Sequence, residues 1–344
     1  MGGEVGSAII DLTEAAYDLS LDDEKWLPTI LERGLSVLDH GLGVAGYEYG
    51  RPPDGGEVEL RNIHVASGPD DFAERHMRAL STTDPEILRL QLRPGFAMTG
   101  SENSRLIGRP QDLEHYISHV DYCKDVLFLT AVDSNGAGVA IVAPLEETAS
   151  LSRHEAERWQ MLAAHIETGH RLRQGLSGRD GETHPHTDLP HDAEAIFDAS
   201  SYQMTDAVAS AKANAATAKL RDAALRVDRA RGPMRNEDPE HALETWKALV
   251  RGRWSMIDWF DSDDRRFVLA IPNAPHVANP RGLTERESQI VSLAALGHTN
   301  KMIAYRLGLS TTRVSTVLRT AMKKLGFRTR AQLIKRLRDF STLE

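Results

Sequence analysis

Between Leu283 and Lys335 the sequence LTERESQIVSLAALGHTNKMIAYRLGLSTTRVSTVLRTAMKKLGFRTRAQLIK sets its helix starts and stops so close together that only short helices fit between them. Thr284 and Glu287 stand at capping-box spacing, and Ile290, Val291, Leu293, Ala294 and Leu296 follow as an apolar stripe. Gly297 ends that helix. A second helix is expected from about Asn300, burying Ile303, Ala304 and Leu307, with Gly308 permitting a sharp turn. Ser310 is the cap of a third, from Thr311 to about Lys324, in which Val314, Leu318, Ala321 and Leu325 recur at helical spacing and face inward. Its other face carries Thr312, Arg313, Ser315, Thr316, Arg319, Thr320 and Lys323. A last helix, roughly Arg330 to Leu337, completes a small all-α domain. A tight turn between two short helices, the second of them cationic, is the arrangement that presents one helix to a DNA major groove.

Charge sets this segment apart. Arg281 to Glu344 holds thirteen Lys plus Arg against four Asp plus Glu, a formal +9, whereas the whole chain is −9, leaving −18 on residues 1–280. A basic module joined to an acidic body is the electrostatic footprint of phosphate binding, because Lys and Arg displace condensed counterions and the acidic body is repelled by the duplex. The competing reading is a helical protein-interaction domain whose cationic face is merely solvated.

Leu283-Thr284-Glu285-Arg286-Glu287, then Gly297, Asn300-Lys301-Met302-Ile303-Ala304, Leu307-Gly308-Leu309-Ser310 and Lys324-Leu325-Gly326 together resemble the DNA-binding domain of LuxR-type (GerE-like) bacterial regulators. The resemblance implies double-stranded DNA as partner and a contact set of Lys301, Thr311, Thr312, Arg313, Ser315, Thr316, Arg319, Thr320 and Lys323. Thr312 and Arg313 fall in the first turn of the third helix, where side chains face base edges, and Lys301, Arg319 and Lys323 fall where phosphates would lie. The sequence departs from the family at Arg313, where Thr is usual, and at Val317, where His or Asn is usual, so contacts at these two positions do not transfer. A homodimer is expected, since one recognition helix reads only a few base pairs. The alternative is a ligand-binding or protein-interaction scaffold whose helix-turn-helix no longer binds DNA.

At 344 residues, 41% hydrophobic and 26% charged, the chain has the composition of a soluble protein of two or three domains. No apolar run approaches a membrane span, the N-terminus lacks a secretory apolar segment, and a single cysteine, Cys123, precludes an intrachain disulfide; a cytoplasmic location and no membrane partner are expected. The fold class is multidomain α+β, divided into residues 1–176, a turn-rich linker at 177–192, a small α/β unit at 193–277 and the helical domain at 278–344.

In the first part an amphipathic helix from about Asp11 leads through Trp26, Ile30 and Leu31 to Leu38. Strand-like runs Gly43–Tyr49 and Val58–Ala66 flank the turn at 51–56, and Val126–Val132 and Val139–Val142 flank a turn containing Asn135-Gly136. Ser152 caps a helix to about Arg173, whose Trp159, Leu162 and Ile166 stripe offers either a dimer seam or a face for the domain's own sheet. This order resembles the GAF/PAS-like sensory fold: an antiparallel sheet with helices on one face and a small-molecule pocket between the sheet and a variable helical segment. By that resemblance Tyr47, Tyr49, Ile63, Phe96, Tyr116, Tyr122 and Phe128 would wall a pocket for a small-molecule effector.

Residues 193–277 read as a reduced PAS-like unit: a strand at Glu194–Phe197, helices at Ala207–Arg231 and Pro239–Val250, and a hairpin of Trp254–Phe260 with Arg266–Ile271. Trp254 and Trp259 belong to its core or to a ligand site. Nothing in the chain reads as an enzyme. His115 and His119, and the linker histidines His184, His186 and His191, lack the Cys or carboxylate spacing of a zinc site, no glycine-rich phosphate loop occurs, and the sequence identifies no cofactor.

Overall fold

The computed structural model describes residues 2–50, 59–84, 97–132, 137–177, 187–246, 249–250, 253–273, 283–325 and 327–334. The chain forms two compact units, residues 1–16 with 21–171 and residues 17–20 with 172–344.

The first unit begins with two helices, α1 (Gly2–Ala16) and α2 (Asp23–Leu38), where the apolar pattern from Asp11 to Leu38 predicts one. Short-range polar groups make the break: Asp18 accepts from the Ser20 amide at 2.9 Å, and Asp22 caps α2 by accepting from the Lys25 amide at 2.8 Å. Strands β1 (Val44–Gly50) and β2 (Glu59–Ser67) form the first hairpin, and β4 (Asp125–Val132) and β5 (Gly138–Leu145) the second. The turns expected at 51–56 and at Asn135-Gly136 lie outside the described residues. Between the hairpins come α3 (Phe72–Ser81), a short strand β3 (Ala97–Thr99), α4 (Gly100–Ile107) and α5 (Pro110–His119). The sheet is antiparallel throughout, in the order β2-β1-β5-β4-β3. Three residues of β3 carry no alternation to read. They are held by pairing Ala97 with Leu129 and Thr99 with Leu127.

The two faces of this sheet are covered differently. Gly46 of β1 lies under Leu27 and Leu31 of α2, and Glu48, on the same face, meets His170 of α6 (Arg153–Ser177) at 3.6 Å. A Cβ at Gly169 would stand 1.9 Å from the Ala16 carbonyl oxygen, so glycine is what lets α6 approach α1 so closely. On the opposite face Tyr47 and Tyr49 pack with Phe72 and His76 of α3 and Tyr116 of α5. Ser152 and Glu155 cap α6 reciprocally, at 3.2 and 2.8 Å. Trp159, Leu162 and Ile166 are all buried within the chain, Leu162 and Ile166 completely. The dimer seam read into that stripe is therefore corrected: its apolar surface is already covered.

In the second unit β6 (Ala195–Asp198) pairs with β7 (Met204–Ala207), followed by helices α7 (Ala209–Lys212), α8 (Asn214–Arg231), α9 (Met234–Glu237) and α10 (Pro239–Thr245), then β8 (Leu249–Val250), β9 (Trp254–Phe260) and β10 (Arg266–Pro272). Two expected helices are shortened. Ala207 ends a strand because it pairs with Ala195, and Leu249 and Val250 pair with Ser255 and Trp254. Alanine-rich composition favours helix locally, but ladder hydrogen bonds override it. This sheet is again antiparallel, in the order β7-β6-β10-β9-β8. Counted from its own first strand that is 2-1-5-4-3, the order of the first sheet. Leu220, Ala223 and Ala224 of α8 pack on Phe197, Trp254, Met256 and Val268. Asp228 of α8 pairs with Arg266, whose guanidinium also donates from Nε to Asp258 of β9 at 3.1 Å, tying helix to hairpin.

Three helices follow, α11 (Glu285–Ala295), α12 (Asn300–Leu307) and α13 (Thr311–Leu325), with residues 330–334 opening another. Gly326 and the expected continuation to Leu337 lie outside the described residues. No described helix is long and apolar enough to cross a membrane.

Candidate nucleic-acid interface

The helical block is built from its caps inward. Thr284 Oγ1 accepts from the Glu287 amide at 3.2 Å while Glu287 Oε2 accepts from the Thr284 amide at 2.8 Å. The same carboxylate oxygen receives Lys324 Nζ at 2.7 Å. Lys324, with the Thr284 amide, holds the buried Glu287 carboxyl below the usual carboxylate range. One acidic side chain thus caps the first helix and anchors the far end of α13, a role for Lys324 that its exposed-looking sequence position does not announce.

Thr299 caps α12 by accepting from the Met302 amide at 3.2 Å, and Gly308 closes it at φ 62°, in the left-handed region. Ser310 then accepts from the Arg313 amide at 3.1 Å and starts α13. Ile290, Val291, Ala294, Ile303, Leu307, Val314, Leu318, Ala321 and Leu333 make one buried cluster, closing the core that three helices leave open. Tyr305 of α12 donates its hydroxyl to the Leu243 carbonyl at 3.0 Å.

With Val314, Leu318 and Ala321 turned in, α13 exposes Thr311, Thr312, Arg313, Ser315, Thr316, Arg319, Thr320 and Lys323, and α12 exposes Lys301. All nine residues expected from the sequence therefore lie on the solvent side of two adjacent helices. Arg313, Arg319 and Lys323 form no ion pair with any described carboxylate, so their charge is unspent. The hydroxyls are differently placed. Thr316 donates to the Thr312 carbonyl at 3.0 Å and Thr320 to the Thr316 carbonyl at 3.1 Å, which leaves each oxygen as an acceptor with its proton already committed. Val317 is half-buried against the helical core.

A polar group at the base of this face was not anticipated. Asn300 Nδ2 donates to Ser315 Oγ at 2.9 Å, and Arg330 donates to Asn300 Oδ1 at 3.1 Å and to the His298 carbonyl. Arg306 donates to His298 Nε2 at 2.7 Å. Burial, with Arg330 nearby, pushes His298 down to about 4, so the ring is neutral and accepts. Sequence shows Asn300 as a helix-start residue; its partners become visible only when three helix ends meet.

Of the effector-pocket residues, Tyr47, Tyr49, Tyr116, Tyr122 and Phe128 share the apolar cluster on the face of the first sheet covered by α3 and α5. Ile63 does not join them: it sits on β2, an edge strand, and is 39% exposed. Phe96 lies outside the described residues. His76, missed in the sequence, is fully buried among these rings, with Nδ1 3.1 Å from the Tyr116 hydroxyl and burial pushing it down to about 3. In the second unit Trp254 is core, donating to Glu194 at 2.7 Å. Among the described residues no group of three or more His, Cys, Asp or Glu is placed to hold a metal. His184 and His186 lie outside them.

Residues 281–337 match the family described as bacterial regulatory proteins, luxR family. That segment is similar to a LuxR-type helix-turn-helix. The match starts just before the Thr284 cap and runs past Leu333, covering the whole exposed cationic face. The likeness of this C-terminal segment is to the DNA-binding helix-turn-helix domains of such regulators. No curated protein matches the chain significantly.

Proposed function

We propose that the chain is a sequence-specific transcription regulator that binds double-stranded DNA as a homodimer, with α13 in the major groove. The observation that carries the reading is the outward face of α13, where Arg313, Arg319 and Lys323 stand exposed and unpaired by described carboxylates beside an inward apolar stripe. A phosphate backbone supplies the missing counter-charge. The scaffold alternative leans on Val317 and Ser315, where relatives carry polar or basic side chains. Because Val317 packs toward the core, its apolar character serves the fold and removes nothing from the outward face.

The first unit is read as a GAF/PAS-like sensory domain that takes a small-molecule effector. Its support is an antiparallel sheet with α1, α2 and α6 on one side and an aromatic cluster under α3 and α5 on the other. Residues 193–277 are read as a reduced relative of the same kind, supported by the shared strand order.

Titration of the full chain against a pool of duplex DNA at rising salt tests the DNA reading. The logarithm of the affinity is expected to fall linearly with the logarithm of salt, by about 0.9 per phosphate neutralised. A chain that shows no salt-sensitive binding to any duplex is not a DNA-binding regulator.

A further inference from the structure

We propose that Asn300 is a specificity-determining positioning residue that acts through Ser315. The inference rests on the DNA-binding reading above. Asn300 sits on the first turn of α12, away from the base-reading first turn of α13, yet both ends of its amide are committed. Arg330 donates to Oδ1 at 3.1 Å, and Nδ2 donates to Ser315 Oγ at 2.9 Å. Oriented from both sides, the amide cannot flip without losing both bonds.

The chain of donors has a direction. Arg330 is half-buried, without a carboxylate partner among the described residues, and is fixed by a second bond to the His298 carbonyl. His298 is itself buried and held by Arg306 at 2.7 Å. The guanidinium polarises the Asn300 amide, and the amide fills one lone pair of Ser315 Oγ. Ser315 is exposed, so its remaining proton is left to point outward from α13. The arrangement turns Ser315 into a preset donor for an acceptor on DNA, whereas Thr316 and Thr320 on the same face spend their protons on backbone carbonyls at 3.0 and 3.1 Å. Ser315 is thereby distinguished from its neighbours by what stands behind it.

A double-mutant cycle on the full chain decides this. The probes are a duplex selected from a random pool by the wild-type protein and a scrambled duplex of the same composition. Asn300→Ala and Ser315→Ala are each expected to lower the preference for the selected duplex about 3- to 10-fold, the range of one hydrogen bond. The salt slope should stay unchanged. In the Ser315→Ala background, Asn300→Ala should cost nothing further, and Ser315→Thr, which keeps the hydroxyl, should restore most of the preference. Equal losses in both backgrounds, or wild-type preference in both single variants, overturn the proposal. A purely structural effect of Asn300 would lower affinity for both duplexes and would persist without Ser315. If the wild type selects no duplex from the pool, it is the DNA reading that fails.

Discussion

Arg313 and Lys323 lie on one helix with equal charge, and the proposed DNA reading gives their positions different work. Arg313 is in the first turn of α13, its amide on the Ser310 cap, where a docked helix would meet base edges under the proposed DNA reading; Lys323 is in the last turns, where it would lie beside the phosphate backbone. Arg313→Ala should cost roughly 1–3 kcal/mol on a selected duplex and little on a scrambled one, as for loss of a bidentate contact to guanine. Lys323→Ala should weaken both and reduce the salt slope by about one. Equal losses for Arg313→Ala on the two duplexes would show that it reads no base. A second residue-scale consequence concerns His298. Its pKa is lowered from 6.5 to about 4 in the fold, so the group favours folding fully above pH 6.5, and this contribution is lost as pH falls toward 4. The total is on the order of 3 kcal/mol. Protection of the α12 amides, taken as exchange relative to the intrinsic rate at each pH, should fall across that window in the wild type and respond less in His298→Gln, which keeps an acceptor for Arg306. An identical pH response in the two proteins contradicts the assignment.

Elements were legible where local chemistry decides them. Thr284, Gly297, Thr299, Gly308 and Ser310 are caps or stops by their own side chains or backbone freedom, so the three C-terminal helices stand where their sequence puts them. Both hairpins of the first unit and the β9–β10 hairpin follow from apolar, strand-like runs set between turn formers, with β1, β4 and β5 buried along their whole length. What stayed hidden depends on partners distant in sequence: β3 exists through β4, Ala207 is extended because Ala195 lies beside it, and Ile63 faces solvent because β2 is an edge. The α6 stripe is the sharpest case. Trp159, Leu162 and Ile166 have the same spacing whether they meet another chain or their own domain, and periodicity alone cannot choose. Their burial within the chain does. Leu162→Asp should accordingly lower the melting temperature of the first unit steeply, by several kcal/mol of stability, because it buries an unpaired charge. A folded Leu162→Asp protein that has only changed its oligomeric state would restore the stripe as a seam.

For the whole molecule, the proposed DNA reading makes the number of copies on a duplex depend on what one α13 can read. Its outward first turns, Thr311 to Thr316, span a few base pairs, too little to single out a site against the background of a genome. Two symmetric copies double the contact and demand half-sites about one helical turn apart. In such a dimer the −18 on residues 1–280 would add a constraint, since two acidic bodies would have to stay clear of the duplex while their basic domains converge on it. Sedimentation of the full chain with a selected duplex should therefore show two chains per duplex. Inserting about five base pairs between the half-sites turns one of them to the opposite side of the helix and should reduce affinity at least about tenfold, while inserting about ten should restore much of it. Binding of a single chain with affinity indifferent to both insertions would mean that one recognition helix suffices and that no symmetric dimer forms on DNA.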